Sequence, residues 1–305
     1  MLLYILQRLG LAVAVCIFVS VLTFLLLNAS GDLAATIAGE EASPERIAQL
    51  RHDLGLDQPL PVRYLAWLGN LLHGDFGNSL FFKQPAADLI LRRLPNTLTL
   101  ALLSLVVMLT LSIPLGVAAA LWSNSILDRL ALVFVVMGQA MPNFWFGLLL
   151  ILFFSLTLGW LPPSGSGSLQ HFIMPAIAVG YSATPPMMRL VRSGMLDALS
   201  SDYIRTARAK GMNSGLIVFK HALRNAIVPA VSLIAVQFGN MLGGSLVTET
   251  VFGIQGLGFL AWESISRMDL PVVQAILLIV AIFYVLLVLM ADILNAWLDP
   301  RIRIQ

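Results

Sequence analysis

The segment from Leu130 to Met188 reads LALVFVVMGQAMPNFWFGLLLILFFSLTLGWLPPSGSGSLQHFIMPAIAVGYSATPPMM and contains no Asp, Glu, Lys or Arg in 59 residues. A helix that crosses the roughly 30 Å hydrocarbon core of a bilayer needs about 20 apolar residues at about 1.5 Å each. The segment is therefore long enough for two such helices, and the Pro-, Gly- and Ser-rich stretch 161–168 in its middle predicts the turn between them. We predict two membrane spans here, at about 131–156 and 172–191.

Charge is scarce along the whole chain. Of its 305 residues, 18 are Lys or Arg and 16 are Asp or Glu, which makes 11% charged against roughly 25% in a soluble domain. Four further uncharged gaps are each long enough for one span: 9–31, 94–127, 225–248 and 270–291. They predict spans at about 9–29, 96–121, 226–247 and 272–294. The sequence thus predicts an all-α integral membrane protein with six transmembrane helices.

The basic residues in the short loops predict the orientation. Most of them precede the first span, follow the last or lie in and beside 192–225, whereas the short loops of the other side contain only Arg267. Because cytoplasmic loops are enriched in Lys and Arg, we expect both termini and 192–225 in the cytoplasm. The chain then divides into four parts: a first transmembrane helix (1–29), an extracytoplasmic segment (30–93), a transmembrane core that includes the cytoplasmic loop 192–225 (94–297), and a cytoplasmic tail (298–305).

The extracytoplasmic segment contains one clear helix signal. Ser43 is a typical N-cap, Pro44 suits the first helical position, and Glu45 suits the positive end of the helix dipole. Three apolar residues within 47–54 then share one helix face, and Gly55 predicts the end. We interpret the segment as a small packed cap on the membrane domain rather than a ligand site.

Enzymatic chemistry and metal binding find no support in the sequence. It contains neither an H-E-x-x-H zinc motif nor a G-x-x-x-x-G-K-[ST] phosphate loop, and its four His lie outside the predicted spans. Cys16 is the single cysteine, and Met137 and Met141 fit packing better than metal binding. No catalytic residue and no metal site is predicted, and the net charge of +2 gives no reason to expect a nucleic-acid partner.

Ionisable residues are nearly absent at membrane depth. Glu249 and Asp292 lie at the ends of predicted spans, where interfacial placement or capping of backbone groups is the expected role. A pathway with almost no titratable residue has little means of coupling to protons. The energy for passage must then come from elsewhere, or passage is passive.

The segment SDYIRTARAKGM at 201–212 predicts a short cytoplasmic helix that begins at a Ser-Asp cap and ends at Gly211. Four of its residues are spaced to share one face: Tyr203, Thr206, Ala207 and Lys210. Spacing alone leaves two interpretations open. The helix docks into a partner protein, or the segment is a basic loop that only fixes the topology.

Together with HALRNA at 221–226, this segment closely resembles the coupling-loop signature of ABC importer permeases of the dipeptide, oligopeptide and nickel branch. The wider superfamily has Glu-Ala-Ala, three residues and Gly, and the Glu-Ala-Ala positions here hold Arg-Thr-Ala at 205–207, a departure that the peptide branch shares. Further motifs similar to those of the branch follow in order: LGLDQPL at 54–60, GDFGNS at 74–79, MPNFW at 141–145, TETVF at 248–252, GLG at 256–258, DLPVVQ at 269–274 and DPRIR at 299–303. One departure is SGDL at 30–33, where the family commonly has Pro-Gly-Asp-Pro.

The resemblance implies a type I ABC importer permease with MetI-like architecture. It implies four kinds of partner: a second homologous permease, two ABC ATPase subunits that bind ATP and Mg, an extracytoplasmic solute-binding protein, and the lipid of a bacterial inner membrane. The chain itself would bind no cofactor. By resemblance, ATP binding closes the ATPase dimer and draws the two coupling helices together, which gives alternating access.

The site residues follow from the same resemblance. Contacts with the ATPase are expected at Tyr203, Arg205, Thr206, Ala207, Ala209, Lys210 and Gly211. His221, Arg224 and Asn225 are expected to brace the loop against span five. Polar residues in or near spans three and five are candidates for the translocation path: Gln139, Asn143, Gln237, Asn240, Ser245 and Thr248. For Gln237 and Asn240, interhelical hydrogen bonding is an equal alternative.

The sequence does not single out one substrate. Members of the branch transport di- and oligopeptides, glutathione, and nickel or metal–chelate complexes. The motif at 141–145 and the short loop 157–171 incline the prediction toward nickel or a metal chelate. We therefore predict small peptides or nickel and metal-chelate complexes, with glutathione or another peptide-like solute as the alternative and a passive channel without an ATPase as a more distant one.

Overall fold

The chain folds into helices throughout the part that the structure, a computed structural model, describes, namely residues 2–29, 33–39, 42–53 and 55–298. The predicted exit from the first span at 30–32 and the predicted tail after 298 lie outside these residues. The helices are α1 (Leu2–Ala29), α2 (Leu33–Ala38), α3 (Pro44–Asp53), α4 (Leu60–Leu72), α5 (Ala86–Leu121), α6 (Ile126–Ala140), α7 (Asn143–Leu150), α8 (Gln170–Ser200), α9 (Asp202–Ala209), α10 (Ser214–Leu216), α11 (Leu223–Ala226), α12 (Ala230–Gly244), α13 (Leu246–Val251), α14 (Leu257–Ser266) and α15 (Leu270–Leu298). Two π-helical segments, Ile151–Thr157 and Ile217–Ala222, follow α7 and α10.

Three of the predicted spans, or up to five, overlap helices or bent helix pairs that are long and apolar enough to cross a membrane. Within the described residues, α1, α5 and α15 qualify alone, and two bent pairs qualify if each pair is one span. Helix α6 meets α7 and its π-helical extension at 103°, and the helical stretch 214–226 meets α12 at 64°. The remaining predicted span falls in α8, which contains three prolines and is largely buried among the other helices. Because α8 is surrounded by protein, it needs less apolar surface than a helix that faces lipid.

The helix ends differ from the predicted span ends. Helix α5 begins at Ala86, ten residues before the predicted 96, and passes through Pro95 and Pro114. Helix α8 continues to Ser200, so the predicted loop 192–225 begins inside a helix. The gaps in charge mark the apolar part of a helix, whereas both of these helices extend by charged turns beyond it.

The predicted helix after Ser43 is confirmed, but the packed cap is not. Helix α3 begins at Pro44, and the Ser43 hydroxyl accepts a hydrogen bond from the backbone N–H of Arg46 at 3.4 Å. No residue of α3 or α4 is buried. The last stretch of this segment packs tightly, since Ser79 and Ala86 are buried. Helix α4 lies against α1, where the rings of Tyr64 and Trp67 have their centroids 5.5 and 5.7 Å from that of Phe24. The segment is therefore attached to the membrane helices both through α4 and at its C-terminal end.

Helices α5 and α8 form the centre of the bundle and run parallel. A Cβ atom at Gly180 would lie 2.5 Å from the backbone oxygen of Ser104, and one at Gly116 would lie 2.8 Å from the Cβ of Val191. These glycines allow the two backbones to approach closely, as small residues do in membrane helix pairs. Met187 at the centre of this pair has no exposed surface.

The parallel pair gives the bundle two distinct ends. At one end, the N-terminal turns of α5 and α8 meet α13 and α14, and we call this the Glu249 end. At the other end, the C-terminus of α8 leads through Ser201 into α9, and we call this the α9 end. Helix α1 packs against α15 at the periphery and exposes apolar side chains such as Leu11 and Phe18, as expected of a lipid-facing helix.

Candidate functional site

Helix α9 begins and ends where the sequence predicts, although the Ser201 hydroxyl donates to the Ala198 carbonyl and does not cap the helix. Its C-terminus closes in a Schellman motif, in which Gly211 N–H donates to the Arg208 carbonyl at 3.0 Å and Met212 N–H donates to the Ala207 carbonyl at 3.3 Å. Gly211 adopts φ = 72°, a left-handed conformation that costs side-chain-bearing residues free energy. The glycine thus ends the helix by backbone conformation, and no neighbouring atom lies within 4 Å of the position that a Cβ would take.

The two faces of α9 have different roles. Ile204 is fully buried and Ala207 is 8% exposed, and both belong to the core cluster that contains Met195 of α8. The outer face is exposed and carries the other predicted ATPase contacts: Tyr203, Arg205, Thr206, Ala209, Lys210 and Gly211. Ala207 was predicted as an ATPase contact, and this is corrected, because its side chain faces the interior of its own chain. Of the four residues predicted to share one face of α9, 203, 206 and 210 are exposed, whereas Ala207 is buried.

The residues predicted to brace the loop act mainly on α9 and α8 rather than on span five. Asn225 Nδ2 donates to the Tyr203 hydroxyl at 2.9 Å and to the His221 carbonyl at 3.2 Å. Ala226, at the end of the same helix, lies against α8, where a Cβ at Gly194 would be 2.8 Å from its carbonyl oxygen. Arg224 is exposed and His221 is half-buried. Asn225 is thus the member of the predicted trio whose side chain holds α9 in place.

An ion pair that the sequence reasoning missed joins three helix ends near α9. Arg192 Nε and Nη2 donate to the two carboxylate oxygens of Asp128 at 2.8 and 2.7 Å. Asp128 is 3% exposed and also accepts from the backbone N–H of Asn124 at 2.9 Å. The pair connects the end of α5, the start of α6 and the end of α8. The sequence signal was Ser125-x-x-Asp128 before an apolar run, and Ser125 does cap α6.

At the opposite end, the buried carboxyl of Glu249 ties three elements together. It accepts hydrogen bonds from the hydroxyls of Thr97 and Ser245, both at 2.8 Å, and from the backbone N–H of Phe259 at 3.0 Å. Burial raises the pKa of this carboxyl, and the hydrogen bonds from its donors lower it in part. A Cβ at Gly256 would lie 2.4 Å from Glu249 Oε2, which explains the glycine at that position. The predicted capping role of Glu249 is confirmed, because it caps the first turn of α14.

Asp269 performs a similar task one helix later. It is fully buried and accepts hydrogen bonds from the Ser79 hydroxyl and from the backbone N–H of Leu80 at 3.0 Å. The Arg267 guanidinium carbon lies 3.7 Å from the centre of the Phe81 ring. The loop before α15 thus holds the loop that precedes α5. Two motifs noted in the sequence, 74–79 and 269–274, meet here.

The structure brings together only two of the residues predicted for a translocation path. Gln237 Nε2 donates to the Ala183 carbonyl at 3.2 Å, and Asn240 Nδ2 donates to Gln237 Oε1 at 3.3 Å. Asn240 also lines a groove of about 580 Å³ between α1, α12 and α15. Interhelical hydrogen bonding, the alternative role, is therefore realised by Gln237.

The other four path candidates are scattered. Ser245 and Thr248 are each 1% exposed, and Ser245 is bonded to Glu249, so the prediction that they line a path is corrected. Gln139 is exposed on α6, and Asn143 is half-buried at the start of α7. The described residues contain no group of three or more His, Cys, Asp or Glu that could hold a metal ion.

Comparison with known proteins adds a family. A model described as the N-terminal part of the binding-protein-dependent transport system membrane component matches residues 1–101, and one described as the binding-protein-dependent transport system inner membrane component matches residues 112–304. The chain is 42% identical over 304 residues to the glutathione transport system permease protein GsiC of Salmonella paratyphi A, which covers 99% of both chains. The protein of the same name from Escherichia coli K12 is also 42% identical over 304 residues, with 99% of both chains covered.

A solved structure supports the fold. The chain is similar to the MetNI methionine ABC transporter in an inward-facing conformation, with a TM-score of 0.59 and 20% identity over 69% of this chain and 96% of the other. The predicted transmembrane permease architecture is thereby confirmed.

Proposed function

Because this chain belongs to the family of binding-protein-dependent transport system inner membrane components, we propose that it is the permease subunit of an ATP-driven importer of glutathione or a similar small peptide. It is a multi-pass inner-membrane transport protein rather than an enzyme, and ATP hydrolysis falls to partner subunits. The relatives at 42% identity are named as glutathione permeases. That name favours the peptide side of the predicted substrates over nickel or a metal chelate.

The observation that carries the ATPase-coupling proposal is the outer face of α9. Its inner face is fixed by Ile204 in the core, while Thr206, Ala209 and Lys210 are exposed. The ion pair of Arg205 with Asp202, at 3.2 Å, is itself exposed and leaves the guanidinium accessible. A rigid helix that presents small and basic side chains suits docking into a groove on another protein. An ABC ATPase is the partner that the family provides.

The attachment of α9 indicates how a partner's movement would reach the membrane. Ser201 is the only residue between α8 and α9. Helix α8 is in turn the parallel partner of α5 and the helix against which α6 packs. A displacement of α9 therefore acts directly on the central pair of the bundle. A partner shifts an equilibrium only between states that it contacts differently. The connection between α9 and α8 is therefore where closure of the ATPase dimer would change the conformation of the permease.

The complete assembly would follow the family pattern. The α9 end would face the cytoplasm and two ATPase subunits, as the basic residues in its loops suggest. The Glu249 end would face the solute-binding protein, and a second homologous permease would complete the translocation path. Both termini would lie in the cytoplasm.

A charge placed on the outer face of α9 tests the proposal. We expect Ala209→Asp to reduce ATP-dependent uptake of labelled glutathione into proteoliposomes by at least about tenfold, because an unpaired carboxylate would be desolvated in the docking groove. Recovery of the ATPase subunits with the purified permease should fall as well. Ala207→Asp is unsuitable, since Ala207 is buried and the substitution would destabilise the chain itself.

The matched control is Ala48→Asp, which makes the same change at an exposed helical position of α3. Uptake and ATPase recovery should remain at the wild-type level in that variant. Unchanged uptake in Ala209→Asp would refute the docking role of α9. Purification of the wild-type chain without any ATPase subunit, together with ATP-independent flux, would instead identify a passive channel.

A further inference from the structure

A cavity of about 580 Å³ opens at the Glu249 end and is built from four separate parts of the chain. Helix α5 contributes Arg92, Arg93 and Asn96, and the loop before it contributes Gln84. The loop between α7 and α8 adds Gly165 and Ser166, and the loop between α13 and α14 adds Gly253 and Gln255. Volumes of this size are typical of small-ligand sites.

The walls of the cavity are fixed in position. Asn96 Nδ2 donates to the Gln255 carbonyl at 2.8 Å, and Arg93 donates to the side-chain oxygen of the same residue. The backbone N–H of Gly165 donates to the Phe252 carbonyl at 2.8 Å. Beneath them lies the Glu249 cluster, which holds α5, α13 and α14 together. Hydrogen bonds between separate segments of the chain therefore hold the cavity walls together.

The charge of the cavity is positive. Arg92 and Arg93 both line it, and none of the described residues that line it is acidic. Glu249 does not line the cavity, and its carboxyl is fully buried and bonded to donors of its own. Arg92 is an exposed residue of the cavity lining. Phe82 and Leu89 add an apolar surface beside the two guanidinium groups.

We propose that this cavity binds the carboxylate of the peptide substrate as it enters the permease, with Arg92 as the principal ligand and Arg93 as its neighbour. Guanidinium groups bind carboxylates in a bidentate manner, and every free peptide has a C-terminal carboxylate. Glutathione has two carboxylates, and two guanidinium groups are available. The inference deepens the proposed function and rests on it, since it names a substrate subsite within the same importer.

The test uses the complete transporter in proteoliposomes together with its glutathione-loaded binding protein. Uptake of labelled glutathione is measured as the concentration of the loaded binding protein is varied. We expect Arg92→Gln to lower the maximal uptake rate about tenfold, which is the scale of one charge-assisted hydrogen bond. The binding-protein concentration for half-maximal uptake should stay unchanged. Arg92→Lys keeps the charge but not the forked geometry, so its rate should fall between those of Arg92→Gln and the wild type.

Lys83→Gln is the matched control, because Lys83 is an exposed basic residue close in sequence that does not line the cavity. Its uptake should equal that of the wild type. An equal loss of the maximal uptake rate in Lys83→Gln would show that the rate depends on general surface charge, and it would overturn the proposal. Wild-type uptake by Arg92→Gln would overturn it as well.

One further outcome identifies a different source of the carboxylate. If Arg92→Gln raises the half-maximal concentration of the binding protein and leaves the maximal rate intact, the cavity binds an acidic side chain of that protein, and the substrate assignment is wrong. Failure of the wild-type transporter to take up glutathione would be a different result. It would refute the proposed substrate before any variant is compared.

Discussion

Glu249 and Asp269, at one end of the bundle, are fully buried carboxyl groups that accept hydrogen bonds from hydroxyls and backbone N–H groups of distant segments. At the α9 end, the one buried carboxylate among the described residues is Asp128, and its main partner is the guanidinium of Arg192. The first arrangement fixes the positions of backbone segments relative to each other. The second joins helix ends through two side chains.

The difference extends to the surface. At the α9 end, Arg205, Arg208 and Lys210 are exposed on a short helix that one residue connects to the central pair. At the Glu249 end, the arginines lie in a cavity whose walls are cross-connected. One end is thus arranged for contact with a partner that moves, and the other is arranged as a fixed site. The following variants test this contrast.

The largest effect is expected from Glu249→Ala. It removes the acceptor of Thr97, Ser245 and the Phe259 backbone N–H, and it leaves the Thr97 hydroxyl fully buried without that acceptor. We expect a loss of about 3 kcal/mol in the free energy of unfolding, measured by denaturant titration of the detergent-solubilised protein. Glu45→Ala, at an exposed position of α3, should leave it within about 0.5 kcal/mol of the wild type. Similar stability of the two variants would contradict the anchoring role of Glu249.

The Asp128–Arg192 pair should contribute less, because both partners are side chains and Arg192 is partly exposed. Asp128→Ala should cost about 2 kcal/mol, and the double variant Asp128→Ala/Arg192→Ala should cost less than the sum of the two single variants. The same cycle on Asp202 and Arg205, an exposed pair on α9, should give a coupling below about 0.5 kcal/mol. Equal coupling energies in the two cycles would contradict the contrast between the buried Asp128–Arg192 pair and the exposed surface of α9.

The contrast also separates what the sequence could predict from what it could not. Spans follow from gaps in charge, since the bilayer restricts composition directly. The glycine stop of α9 is a local signal that the structure has, whereas the Ser201 hydroxyl donates to the Ala198 carbonyl and does not cap the helix. Thr97 and Glu249 are 152 residues apart, and Ser79 and Asp269 are 190 apart, so spacing along the chain carries no trace of their contact.

Errors in the prediction have the same origin. The resemblance placed Ala207 among the ATPase contacts, and helical spacing could not correct this, because it shows which residues share a face but not which face is buried. Ser245 and Thr248 were assigned to a path because they are polar residues in or near an apolar span. Ser245 donates to the nearby Glu249, but the burial of that carboxyl depends on Thr97, which lies 152 residues away in the sequence.

Gly211→Ala tests the α9 end more gently. Alanine at φ = 72° should cost about 1 kcal/mol and loosen the last turn of α9, and Gly211→Asn should cost less because Asn tolerates this conformation better. In proteoliposomes, the ratio of glutathione taken up to ATP hydrolysed should fall in Gly211→Ala and partly recover in Gly211→Asn. Gly167→Ala, in a loop where nothing crowds the new Cβ, is the control and should leave the ratio unchanged.

The smallest effect is expected from Tyr203→Phe, which removes the hydroxyl that accepts from Asn225 and changes nothing else on α9. The bond is partly exposed to water, so we expect a loss of about 0.5 kcal/mol in the free energy of unfolding. Coupling of uptake to ATP hydrolysis should nevertheless fall measurably, because this bond fixes the outer face of α9 to the helix behind it. Tyr64→Phe removes a comparable bond to Ser20 far from α9 and should leave coupling intact. If both variants reduced coupling equally, the loss would result from a general change in the bundle. The proposal that α9 transmits the movement of a partner would then be contradicted.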